Sequence, residues 1–127
     1  MKKTEFSDKR ILIVDDLEFM REAAQSVLSD AGFSGFLHAA DGKQALSVYL
    51  EHKPELVVLD ITMPVMDGLT ALKKIRSFDS RAKVVMCSAM GEQEYVIQAI
   101  LNGAIDFVVK PYTPDRLASA VEIALGR

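Results

Sequence analysis

Ile11-Leu-Ile-Val-Asp-Asp16 and Leu56-Val-Val-Leu-Asp60 share one grammar: four apolar residues in a row, then acid. In a strand with one wet face, apolar and polar residues would alternate. Unbroken apolar runs of this length suit strands covered on both faces, as in a parallel sheet sandwiched between helices. Val84-Val-Met-Cys87 and Phe107-Val-Val109 repeat the pattern, and residues 35–39 carry a weaker version of it.

The segments between these blocks have helical period. Phe19, Met20, Ala23, Ala24, Val27, Leu28 and Ala31 recur at three-and-four spacing, with Gly32 as the stop. Asp41-Gly42 opens a second helix that Pro54 closes off; Leu69, Leu72 and Ile75 mark a third. A fourth carries Tyr95, Val96, Ala99 and Ile100 ahead of Asn102-Gly103. The fifth has Thr113 as N-cap, Pro114 at its first position and Asp115 near the positive helix end, with Leu117, Ala120, Val121, Ala124 and Leu125 as its inward stripe. Strict alternation of strand and helix predicts an α/β fold: a doubly wound five-stranded parallel sheet flanked by five helices, with right-handed crossovers.

At 127 residues the chain has room for one domain, expected over 1–127 with a core from about 9 to 126, and none for an appended output domain. With 18 acidic against 15 basic residues the net charge is −3, which gives no footing for a basic nucleic-acid binder. One cysteine cannot form an internal disulfide, no leader peptide is visible after Met1, and apolar runs of four fall far short of a membrane span. A soluble cytoplasmic protein is the expectation.

In an open parallel α/β sheet, sites form outside the carboxyl ends of the strands. Those ends are Asp15-Asp16 after the first block, Asp60 after the third, Ser88 after the fourth and Lys110-Pro111 after the fifth. Carboxylates brought together in a partly dry pocket repel one another and must hold protons or a cation. Oxygen ligands without paired histidines suit a hard ion, Mg²⁺ in particular, which accepts one or two carboxylates and keeps water and phosphate oxygens in its shell. Lys110 adds a fixed positive charge. A cation, an ammonium and a hydroxyl around one carboxylate are what a phosphoryl group needs, since its transfer is driven by positioning and charge neutralisation. Asp60 is the expected nucleophile, forming an acyl phosphate.

These residues resemble the receiver domains of two-component response regulators. The resemblance rests on Ile11-Leu-Ile-Val-Asp-Asp16, Val57-Val-Leu-Asp-Ile-Thr-Met-Pro64 with Met66-Asp-Gly68, Cys87-Ser-Ala89 and Phe107-Val-Val-Lys-Pro111, and runs from about residue 9 to the C-terminus. Single-domain length, Ile61-Thr-Met-Pro64 and Cys87-Ser-Ala-Met-Gly91 look most like the stand-alone, CheY-like chemotaxis type. The resemblance implies the flavodoxin-like strand order 2-1-3-4-5. It implies Asp60 as phosphoacceptor from a histidine kinase, with Mg²⁺ held by Asp16, Asp60, the backbone carbonyl of Thr62 and, through water, Asp15. It further implies Ser88 and Lys110 as phosphoryl-binding groups, a cis Lys110-Pro111 bond that aims the lysine, and Phe107 as the switch aromatic where many chemotaxis regulators have tyrosine. Ser88 moving toward the phosphoryl oxygens would vacate space for the Phe107 ring. The surface of the fourth helix, fifth strand and fifth helix would then change for an output partner, a flagellar motor protein or another. Met90 and Thr62 fall at positions that tune how fast water reaches the acyl phosphate, and a separate phosphatase is a possible partner.

His38 and His52 lie away from the strand ends and read as structural or solvated residues, and Cys87 as a packing residue. Met63, Met66 and Met90 also read as packing. Such a protein is a phosphoacceptor that switches, not a turnover enzyme. Two rivals have less support. An aspartate-nucleophile phosphatase resembles Asp-x-Asp at the nucleophile, whereas this chain has Asp60-Ile61-Thr62; a flavodoxin-like redox protein needs a phosphate-binding loop where this chain has Asp15-Asp16-Leu17-Glu18. Within the receiver reading, a phosphorelay intermediate that passes its phosphoryl group to a histidine domain uses the same site as a chemotaxis regulator.

Overall fold

A computed structural model describes residues 5–127. Residues 1–4, on which the expectation of no leader peptide partly rests, lie outside the described residues. The elements alternate without exception: β1 (Arg10–Val14), α1 (Glu18–Asp30), β2 (Gly35–Ala39), α2 (Gly42–His52), β3 (Leu56–Leu59), α3 (Gly68–Phe78), β4 (Val84–Ser88), α4 (Gln93–Leu101), β5 (Asp106–Val109) and α5 (Pro114–Leu125). The five strands form one sheet in the order β2-β1-β3-β4-β5, every pairing parallel. No helix of the described residues is long and apolar enough to cross a membrane.

The apolar runs divide between two core layers with the period of two that a strand imposes. Leu12, Val14, Val57, Leu59, Val84, Met86 and Phe107 face one side, where they meet Ala45 and Tyr49 of α2, Ala71, Leu72 and Ile75 of α3 and Ala99 of α4. Ile11, Ile13, Leu56, Val58, Val85, Cys87 and Val108 face the other, against Ala24 and Leu28 of α1 and the full Leu117–Leu125 stripe of α5. Both faces of the central strands are therefore dry, which is why their sequences do not alternate. Four of the five residues of β2 are only half-buried, because its place at the sheet edge exposes one flank and explains its weaker apolar signal.

Two expectations about the helices need correction. Phe19 does not belong to the inward stripe of α1; it is 76% exposed. It stands five positions before buried Ala24, about 140° around a 3.6-residue helix from it, so apolar character and inward direction part company in the first turn. Ile100 of α4 is likewise exposed, at 47%, because only Ala99 of that turn is fully buried against the sheet. The start and stop signals act as expected. The side chains of Asp41, Asp67 and Thr113 cap α2, α3 and α5 by accepting from the backbone N–H of Gln44, Thr70 and Arg116, and Gly32 takes the left-handed conformation (φ 105°) just past α1.

Candidate functional site

Parallel register lines up the strand ends, and the ladder continues one residue past β1 and β3. Asp15 N–H donates to Ala39 O (3.2 Å), Asp60 N–H to Val14 O (3.1 Å) and Lys110 N–H to Ser88 O (2.9 Å). Asp15 and Asp60 thus stand at one register level on the carboxyl edge of the sheet, with Ser88 one residue and Lys110 two residues further along their strands, all from backbone already fixed by hydrogen bonds. Oxygens of Asp15, Asp16 and Asp60 lie within 4.8 Å of one another. Asp15 and Asp60 are buried and Asp16 is exposed, so the cluster opens to solvent on the Asp16 side.

Lys110 reaches into this cluster. Its Nζ is 2.5 Å from Asp15 Oδ2 and 3.5 Å from Asp60 Oδ2, with only 15% of its side chain exposed. The bond between Lys110 and Pro111 is cis, as the family likeness implied. Burial disfavours the ammonium, but the hydrogen bond to Asp15 and the charge of Asp60 outweigh it and hold the lysine pKa above its ordinary value. For Asp60 the balance goes the other way. Burial raises its carboxyl pKa, and the opposing pull of Lys110 and the Ser88 hydroxyl does not cancel that rise. Asp60 Oδ1 accepts from the N–H of Ile61 (2.7 Å), which leaves Oδ2 on the side of Lys110.

Ser88 is almost fully buried, and its Oγ accepts from the N–H of Met90 (3.1 Å). Thr62 is exposed, in the loop after Asp60. Phe107 sits one level below the site at 7% exposure, within the core layer that contains Ala99 of α4; its ring is already inside the fold. Cys87 is buried, and burial pushes its thiol up to about 12, which agrees with a packing role. His38 pairs with Gln25 (2.5 Å) and His52 lies beside Glu51, both outside the acidic cluster. Met63 is buried, and Met66 and Met90 pack against the same core layer.

Three features of the site were not assigned from the sequence. Gly68 starts α3 directly beneath Asp60: its N–H donates to Ile61 O (2.7 Å), and a Cβ there would stand 1.8 Å from the Asp60 carbonyl oxygen. Met66-Asp-Gly68 is part of the family likeness, though nothing in the letters says that the missing side chain makes room for the backbone of Asp60. Val65 has φ 68°, a conformation costly for a β-branched residue, stabilised by a tight turn in which Met66 N–H donates to Pro64 O (2.7 Å). No local signal predicts it. Arg21 donates from Nη1 to Asp15 O (2.7 Å), a contact between α1 and the acidic loop that periodicity alone does not reveal.

The residue types fit a hard divalent cation. Carboxylate oxygens are the only ligand-type atoms in the cluster, one of the three acids is open to water, and the other two are already drawn to positive charge in the form of Lys110. Chemically the arrangement offers a carboxylate whose free oxygen faces an ammonium, with a buried hydroxyl on the neighbouring strand.

Comparison with known proteins agrees with this geometry. A family model described as the response regulator receiver domain matches residues 11–122. The chain is 52% identical to a chemotaxis protein CheY of Bacillus subtilis over 92% of its length and 98% of that protein's. It is 47% identical to a CheY of Thermotoga maritima, over 89% and 94%. Among solved structures it is similar to a CheX-CheY-BeF3-Mg complex from Borrelia burgdorferi, with a TM-score of 0.87, 38% identity and coverage of 91% of this chain and 87% of that one.

Proposed function

The chain belongs to the response regulator receiver domain family, of the CheY-like type, and from that premise we propose that it accepts a phosphoryl group on Asp60 from a histidine kinase and relays chemotaxis signals in the cytoplasm. The observation that carries this reading is the joint placement of Asp60, Asp15 and Asp16 with Lys110 at one sheet edge. An Asp60 oxygen forms a bond to phosphorus while the bond from phosphorus to the donor imidazole nitrogen breaks, and the imidazole keeps the electron pair. Lys110 is within reach of Asp60 Oδ2 and draws off charge from the oxygens of the incoming group. Ser88 supplies a hydroxyl from the adjacent strand. Asp16, Asp60 and Asp15 would hold Mg²⁺ with the Thr62 carbonyl, and when bound the ion neutralises phosphoryl and carboxylate oxygens together. Water attack on the acyl phosphate returns Asp60 and inorganic phosphate, so the protein is consumed and reset as a signal and does not turn over an external substrate.

The added charge, about −1.5 to −2, acts on Ser88 and through it on the β5 end next to Phe107. Because that ring is already buried, the response at this position is a repacking inside the layer under α4. Output partners then read the surface of α4, β5 and α5. The similar CheX-CheY complex supports a protein as the output partner. Incubation with acetyl phosphate and Mg²⁺ tests the central claim: wild type takes up an acid-stable, hydroxylamine-labile label, and Asp60→Asn takes up none. Equal labelling of the two proteins overturns it.

A further inference from the structure

The segment between β1 and α1 is three residues long and contains two of the three clustered acids, yet α1 starts without a side-chain cap: Leu17 occupies the N-cap position and makes no capping hydrogen bond. What ties the start of the helix to the end of the strand is Arg21. Its backbone N–H donates to Leu17 O (3.1 Å) in the first helical turn, while its Nη1 reaches back to Asp15 O (2.7 Å). With that bond every polar group of Asp15 is engaged. Its N–H goes to Ala39 O, its carbonyl takes Arg21, Oδ1 accepts from Leu17 N–H (3.1 Å), and Oδ2 takes Lys110. The Asp15 carbonyl belongs to the peptide plane shared with Asp16, so the guanidinium fixes the plane from which the exposed Asp16 carboxylate departs.

This hold has a cost. Arg21 Nε is buried and has no hydrogen-bond partner among the described residues. Leaving a buried donor unsatisfied costs at least as much as one hydrogen bond contributes, so the bond from Nη1 brings little net stability. An arginine kept where it gains the fold little, but orients two of the clustered acids, is best explained by what those acids do. We infer that Arg21 is a positioning residue for the divalent-cation site, fixing the Asp15-Asp16 backbone so that both carboxylates meet the ion in one geometry. The inference rests on the proposed function, since it assumes that the acidic cluster binds a cation.

Two opposite effects of Arg21 can be separated experimentally. As a positive charge near the cluster it repels a cation; as a clamp it pre-organises the ligands. Partners that orient metal ligands typically change affinity by about 10–100-fold when removed. Titration of the full chain with MgCl₂, followed by calorimetry and by the amide resonances of Asp16 and Leu17, is expected to show at least ten-fold weaker binding for Arg21→Met than for wild type. Arg21→Lys, which keeps the charge and one donor, is expected to fall between them. Thermal midpoints of the metal-free proteins are expected to differ little, because the variant also removes the orphaned Nε. Affinity and stability therefore part company, which a merely structural arginine would not produce. Unchanged or tighter Mg²⁺ binding by Arg21→Met overturns the inference, as does a loss of affinity that only follows a loss of stability. If wild type itself binds no Mg²⁺, the proposed function fails first, and the outcomes are thereby distinguishable.

Discussion

Replacing Lys110 by Met tests how the acidic site is balanced before any phosphoryl group arrives. The ammonium stands 2.5 Å from Asp15 Oδ2 and 3.5 Å from Asp60 Oδ2, and the side chains are 15%, 8% and 10% exposed. At an effective dielectric of about 20 those separations correspond to about 6–7 and about 5 kcal/mol of attraction. Desolvation of the lysine and both acids offsets most of this, at several kcal/mol per ion. Removing one partner of a buried pair costs about 3–5 kcal/mol, because the other charge is left without compensation. Water reaching the cluster past exposed Asp16 lowers that figure, and about 3 kcal/mol is the expected loss in metal-free buffer. For a domain of this size it corresponds to a midpoint about 10 °C lower in a thermal scan. Methionine keeps the aliphatic stem, so the loss reports charge and not packing. Added Mg²⁺ should then stabilise Lys110→Met more than wild type, since the ion no longer competes with an ammonium already seated on Asp15 and Asp60. The assay is a pair of thermal scans, in EDTA and in saturating MgCl₂, for each protein. A loss below about 0.5 kcal/mol in EDTA, the size of an exposed pair, or equal stabilisation of both proteins by Mg²⁺, would refute the reasoning.

Other perturbations follow from the same geometry. Because burial holds the folded-state pKa of Asp60 above its unfolded value, its ionisation opposes folding. That penalty is absent below the unfolded pKa of about 3.9, accumulates as pH rises from there, and is complete once pH has passed the raised folded value. Metal-free Asp60→Asn should therefore unfold at a higher temperature than wild type at neutral pH, with the gap closing as pH falls into the ordinary carboxylate range; a gap independent of pH would contradict this. Gly68→Ala sets a Cβ 1.8 Å from the Asp60 carbonyl oxygen, and should cost about 2–3 kcal/mol in denaturant unfolding, at the upper end for overpacking, with slower labelling of Asp60 by acetyl phosphate. Near-native values for both measurements would show that the loop moves freely. Phe33→Ala, at a fully buried core position remote from the acids, should lose about 3–5 kcal/mol while Mg²⁺ affinity at low temperature stays as in wild type. A parallel loss of affinity would mean that the site has no rigidity of its own.

Much of this protein is legible in its amino-acid sequence. Runs of four apolar residues ending in acid, as at Ile11–Asp16 and Leu56–Asp60, required strands dry on both faces, and the alternation with helical period then placed Asp15, Asp16, Asp60, Ser88 and Lys110 on one edge, because in a parallel sheet every strand leaves in the same direction. Apolar identity was a poorer guide where an element begins. Phe19 and Ile100 read as core and lie in solvent, since the angular position of a residue on its helix depends on which neighbours the sheet covers.

The amino-acid sequence by itself determined the fold class, the identity of the chemical groups and the end of each strand from which they emerge, because periodicity of two and of 3.6 is a local property of the chain. Only the tertiary structure decided how those groups share charge and room. Lys110 spans Asp15 and Asp60 although 95 and 50 residues of chain separate them. Gly68 gives way to the Asp60 carbonyl, and Arg21 clamps the Asp15 carbonyl while its own Nε finds no partner among the described residues. Such relations are set by distances across the sheet edge and by what burial does to each charge, and those exist only once separate segments have been packed together.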